Sequence, residues 1–347
     1  MQDNNNFYEV EIKYALTPQM FYGVFLKEMQ KYFSVIRYRT DEPWILYLNL
    51  ARCPEIEGTV IPNLLVVGYI VGKRTGLKPF LYIPQRGESK LWNYLNDIRF
   101  FELNERNEIY HVLVSGSRTG ESYGFADYCT TTFLRKNLSE EQVTEYLRKR
   151  YSELFTKHLI NFEYTVMSAR IPMPYSINIL EVFCKQLCYN SVSHGGSFCY
   201  TTMQVNYKKR RIFISVSDCG KGMYRTFLSK VLKGYEPLIL PRNMQEYRRT
   251  EELEFKAIIE GLIYRFYEEK YGIWSVLRDI MDMKGIIRFH SGKMRVTIAD
   301  LDVEHLKMCR DQRTAAEYLY AYLNKEEYRQ RTPFYQGTHI ELELPLI

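Results

Sequence analysis

The chain has 347 residues, 46% hydrophobic and 25% charged, with a formal net charge of +6. That length suggests two domains, and that balance excludes wholesale disorder. No run approaches the roughly 18 consecutive apolar residues of a membrane span. The opening MQDNNNFYEV lacks the charged-then-apolar pattern of a secretory leader. Seven cysteines, an odd number without framework spacing, fit free thiols in a reducing cytoplasm.

In chain order, Ile36–Thr40 (IRYRT) and Trp44–Leu50 (WILYLNL) read as strands, being rich in aromatic and branched residues. Gly58–Gly76 reads as a helix, with Pro62 in its first turn and Gly76 just past its end. A buried strand FLYIP and a short helix ESKLWNYLNDI follow, and residues 104–132 supply one or two more strands, IYHVLVSG being the clearest. This alternation predicts a small α/β domain over 1–125.

Residues 137–159 read as an amphipathic helix opened by a Ser139/Gln142 capping box, within a helical linker over 126–165. A second helix, INILEVFCKQLCYNSVSHGG, precedes two strands, CYTTMQVNY and IFISVSD, joined by the basic turn KKRR. That run reads as a solvated hairpin turn, and the mild net charge makes nucleic acid an unlikely partner. Two helical insertions are expected, at 224–270 and 303–325, separated by a helix at WSVLRDIMDMKG and by a hairpin of IIRFHSG with MRVTIAD. THIELELPL is the last strand.

Several candidate motifs read more plainly as structure. GYIVGKRT (68–75) has three residues between its glycines where a P-loop needs four, Arg74 where Ser or Thr is needed, and a helical context. Cys184, Cys188 and Cys199 suit small buried hydrophobes better than zinc ligands. His158 reads as a surface or linker residue, and His290 as a strand residue near a sheet edge.

One constellation carries chemistry. Gln186, Asn190 and His194 are spaced four apart and share one helix face. Downstream, VSDCGKGM puts Asp218 at the end of a half-buried strand, where a carboxylate needs a partner. Gly220 and Gly222 let backbone approach a planar ring or a phosphate. Asn190 offers a neutral oxygen suited to Mg²⁺ beside phosphate, and His194 could meet phosphate charge.

With these residues in order, the stretch from Ile171 to Ile347 resembles the GHKL (histidine kinase-like) ATPases of Bergerat fold, whose members include sensor histidine kinases, gyrase, MutL and anti-sigma-factor kinases. QLCYNSVSHG resembles the N-box, with Asn190 as Mg²⁺ ligand. DCGKG is similar to the DxGxG box, with Asp218 reading the adenine amino group. QGTHIELELPL resembles the last box through Gly337 and Thr338. The resemblance implies ATP and Mg²⁺ as cofactors and a C-terminal α/β sandwich over 166–347 whose mixed sheet is covered by helices.

Two departures stand out. Gln186 occupies the place of the family's general-base glutamate; an amide cannot take the proton, although it can orient a water. Glu181, nine residues before Asn190, falls on the opposite helix face. The lid's glycine box is reduced to YGIWSVL, with Gly272 alone. Residues 43–103 faintly resemble a STAS domain, in which Thr59 is the nearest counterpart of a phosphorylated residue and reads better as structural.

The expectation is therefore an ATP-binding regulatory protein. It would switch a protein partner or form a homodimer, with slow or partner-dependent hydrolysis. A protein kinase acting on a separate partner is the first alternative, and a gyrase- or MutL-like nucleic-acid ATPase the second. The pairing of the two resemblances implies a bacterial cytoplasmic signalling setting.

Overall fold

The computed structural model describes residues 6–38, 43–83, 90–114, 127–154, 177–193, 197–206, 209–266 and 272–345. Among these, the strands form a four-stranded and a five-stranded sheet, with helices packed on both. No helix among the described residues is long and apolar enough to cross a membrane.

The first sheet is parallel throughout, in the order β1 (Asn6–Glu11), β2 (Trp44–Asn49), β3 (Phe80–Ile83), β4 (His111–Val114). Parallel neighbours need crossover connections, and helices supply them. A helical segment, Pro18–Phe25, wound in its second half as a π-helix, runs into α1 (Leu26–Tyr38). Ile36–Tyr38, expected in a strand, is instead the last turn of α1, because Leu26, Met29, Phe33 and Ile36 keep helical spacing.

α2 (Ile61–Thr75) is the helix expected between Pro62 and Gly76, and Gly76 closes it at φ +72°. Nearly every residue from Ile61 to Val71 is buried. A helix apolar all round lies inside a protein. Here α2 packs on the strands of the second sheet while its apolar side chains join those of the first. The P-loop-like GYIVGKRT lies within α2, and Gly68 answers to packing: a Cβ there would meet the Tyr110 ring at 2.4 Å.

α3 (Lys90–Asp97) matches expectation. α4 (Phe100–Asn107) falls where no helix was foreseen, entered by Arg99 and left by Glu108, both left-handed.

The second sheet runs β5 (Asp127–Leu134), β6 (Cys199–Asn206), β7 (Arg211–Asp218), β9 (Arg329–Pro345), β8 (Ile286–Ile298). Every pairing is antiparallel, where a mixed sheet was expected. The stretch 126–165 thus carries a strand of this sheet as well as α5 (Glu140–Leu154). Both bonds of the Ser139/Gln142 capping box form, at 2.9 and 3.2 Å.

β6 and β7 make the expected hairpin. The second expected hairpin does not exist. IIRFHSG and MRVTIAD are one strand, β8, whose register shifts at Ser291 and Gly292. Gly292, at φ +67°, marks a bulge, and the strand continues past it against a β9 far longer than THIELELPL.

One face of this sheet carries α5, α6 (Ile177–Ser193), α8 (Glu251–Ile263) and α9 (Gly272–Asp282) around the larger apolar core. The expected insertions are part of this body. The first contains α7 (Gly222–Val231) and α8, and the second α10 (Val303–Lys307) and α11 (Gln312–Leu323). Phe255, Ile259, Ala316 and Leu319 from them are fully buried in that core. The other face receives α1 and α2, so the two sheets enclose a shared layer of helices.

Candidate functional site

Strand alternation fixes where Asp218 sits. On β7, Ile212, Ile214 and Val216 enter the helix-covered core, while Ser215 and Ser217 hydrogen-bond to α2 and the turn before it. Asp218 continues the first series. On β9, Ile340, Leu342 and Leu344 enter the same core, so Thr338 continues that series. β7 and β9 are hydrogen-bonded neighbours, and the two series end side by side at the mouth of a cleft of about 920 Å³.

Asp218 is 1% exposed. Its Oδ1 accepts the backbone N–H of Gly220 at 2.8 Å and of Thr338 at 3.2 Å. Burial pushes the carboxyl up to about 6, against the pull of these N–H groups and of the Ser191 hydroxyl. Gly337, at φ +100°, is required here, since a Cβ would lie 1.8 Å from the Asp218 carbonyl oxygen.

α6 forms the adjoining wall and presents Gln186 and Asn190 to the cleft. The Asn190 Nδ2 is buried without a hydrogen-bond partner, so this amide keeps an unused N–H donor at the cleft. Gly272, at φ +84°, begins α9 at the cleft wall. Gln186, Asn190, Asp218, Gly272 and Thr338 therefore converge from α6, β7, α9 and β9. Gly220 and Gly222 do not line this cleft. The first clamps Asp218 through its N–H, and the second, at φ +72°, turns the chain into α7 against Ser291 and Gly337; both face a second pocket. His194 and His158 lie outside the described residues.

Three contributors were not legible as site residues. Lys230 on α7 stands 3.4 Å over the Tyr264 ring, which holds an ammonium at the cleft without an ion-pair partner among the described residues. Arg265 lines the same wall. Glu140, at the start of α5, brings a carboxylate to the cleft, paired with Lys185 at 2.8 Å. Helical periodicity marks these residues only as amphipathic surface; their convergence depends on how α5 and α7 pack.

The structural readings of the other motifs fit their surroundings. Thr59 is 4% exposed, beneath the second sheet. Cys188 and Cys199 are buried free thiols, and the Cys184 side chain lies outside the described residues. His290 lies on the edge strand β8, yet is 1% exposed because α1 and its lead-in segment cover that end of the sheet.

Comparison of the chain with protein-family models, with curated proteins and with solved structures finds no match.

The donor set fits a magnesium nucleotide. Among the described residues the cleft has no carboxylate cage, and Mg²⁺ bound mainly by phosphate and water needs only one or two protein oxygens, such as the Asn190 amide. Lys230, Arg265 and the N-terminus of α9 suit phosphate charge. The buried acceptor Asp218 suits an exocyclic amine.

Proposed function

We propose that the chain is an ATP-binding regulatory protein of the GHKL type, built on a Bergerat-like sheet and joined to a STAS-like parallel-sheet unit. The observation that carries this reading is the convergence of Gln186, Asn190, Asp218, Gly272 and Thr338 on one cleft, although 152 positions separate the first from the last. In it, Asp218 accepts from the adenine amino group, Asn190 ligates Mg²⁺, and Lys230 with Arg265 offsets phosphate charge. Bound Mg²⁺ would neutralise charge on the phosphates.

Gln186 holds a water without deprotonating it, which suits a nucleotide switch with slow hydrolysis. A second reading, hydrolysis or transfer to a partner, is favoured by Glu140, the carboxylate that α5 brings to the cleft. Fluorescent-ATP titration with Mg²⁺ tests the main reading. Asp218→Ala is expected to weaken binding at least 100-fold while circular dichroism stays unchanged. Equal affinity in this variant would sink the assignment. Labelled-phosphate release separates the second reading: Glu140→Gln lowers turnover if Glu140 is the base and leaves it unchanged if the cleft only senses nucleotide.

A further inference from the structure

Behind the Asp218 loop lies a second pocket of about 510 Å³, separate from the cleft. Arg74 reaches it from the end of α2, Lys221 and Arg225 from the start of α7, and Arg249 from the segment before α8. Four cations from three distant segments thus converge on one cavity, with a single carboxylate, Glu254, paired to Arg249. Among the described residues, no carboxylate lies within ion-pair distance of Arg74, Lys221 or Arg225.

Exposed cations are usually solvated singly, and like charges repel. Two of these are instead held in place by aromatic rings. The Arg74 guanidinium stands 4.5 Å over Phe33, and Arg249 lies 5.3 Å from Tyr224 and 5.1 Å from Phe334. Gly220, Gly222 and Gly337 line the wall, the last two packed tightly against Ser291 and the Asp218 backbone. Lys221 stands at the N-cap of α7 and makes no side-chain capping bond; the Met223 N–H donates to Ser291 Oγ at 2.9 Å, and the start of this ten-residue helix borders the same space.

We infer that this pocket binds a phosphate-bearing ligand, held by Arg74, Lys221, Arg225 and Arg249 between the parallel-sheet unit and the Asp218 loop. Guanidinium forks match phosphate oxygens, and several cations around one cavity suit a multiply charged anion. The phosphoryl group belongs either to a small phosphorylated molecule or to a phosphorylated side chain of another protein.

Isothermal titration of the full chain with inorganic pyrophosphate, and separately with a phosphoserine peptide, tests this. Binding of at least one probe is expected, weakened tenfold or more in the double variant Arg74→Gln/Arg225→Gln. The charge-keeping Arg225→Lys should retain most of the affinity. Lys230→Gln, which alters only the main cleft, should change it less than twofold. Tighter binding of pyrophosphate assigns a small molecule, and tighter binding of the peptide a phosphorylated protein. The inference is overturned if neither probe binds at millimolar concentration, or if Lys230→Gln weakens binding and the double variant does not. Thermal unfolding of the double variant, expected at the wild-type midpoint, confirms that lost binding is not lost fold.

Discussion

The two faces of the five-stranded sheet are held by different physics. Toward α5, α6, α8 and α9 the contacts are mostly apolar: Ile212, Ile214, Val216, Ile340, Leu342 and Leu344 pack there, with a Tyr151–Thr201 hydrogen bond at 3.3 Å and polar groups at the Asp218 end. Toward α1 and α2 the same strands present Ser215, Ser217, His339 and Glu341, and hydrogen bonds are threaded through the layer. Asn63, fully buried on α2, donates to the Tyr22 hydroxyl at 3.1 Å and accepts from Ser217 at 2.6 Å, while its carbonyl accepts from Tyr335 at 2.7 Å. Arg295 and Glu341 form a nearly buried ion pair at 3.2 Å, with Arg295 standing 4.8 Å over Tyr22.

Apolar packing is non-directional and tolerates small shifts of a helix. A hydrogen-bonded polar layer favours one seating, because a slip breaks its bonds, although Thr59 Oγ1, His290 Nδ1, Arg295 Nε, His339 Nδ1 and Glu341 Oε1 in it are buried without a partner. The polar face therefore fixes how the parallel-sheet unit sits on the strand that carries Asp218: Ser217 precedes Asp218 directly, and Tyr335 is two residues before Gly337.

The most damaging test of this contrast is at the sheet's end. Gly337→Ala should cost more than about 4 kcal/mol in urea denaturation, since the Cβ collides with backbone and φ is +100°. Next, Arg295→Ala should cost about 3 kcal/mol, because Glu341 is left charged and unpaired. The double change Arg295→Met/Glu341→Leu should recover most of that loss. If it does not, the polar face contributes net stability beyond fixing the seating.

A pH series on Asp218→Asn comes third. In the wild type the folded carboxyl is raised to about 6 from an ordinary 3.8. The cost of burying its charge is absent below the ordinary value, grows between the two, and is full above the folded one. The variant should match the wild type near pH 3 and be more stable by about 3 kcal/mol at pH 8. A gap that is constant with pH would show that the carboxyl titrates normally.

The histidines of the polar face run the other way. Burial holds His339 down to about 3 and His290 well below its usual range. Each favours the fold when neutral, so stability is lost as pH falls below about 6.5 toward 3. His339→Gln should flatten that acid limb. The smallest effect expected is that of Asn63→Ala, about 1–2 kcal/mol from its lost hydrogen bonds, read as a shift in the urea midpoint.

Local patterns in the sequence determined much of this molecule. Pro62 and Gly76 bracket α2, Ser139 and Gln142 cap α5, and the Lys209–Arg210 turn joins β6 to β7, because each is decided by backbone chemistry within a few residues. Gln186, Asn190, Asp218, Gly272, Gly337 and Thr338 were legible as candidates through their spacing and their helix and strand contexts. Tertiary structure decided the rest. It made Gly292 a bulge instead of a turn, since β9 was long enough to pair with both halves of β8. It put α2 between two sheets, drew the helices expected as insertions into the core, and gathered Lys230, Glu140 and the four cations behind Asp218. Those outcomes depend on which surfaces meet across tens to hundreds of residues of chain. Propensity and periodicity act over a turn or a strand and carry no information about such meetings.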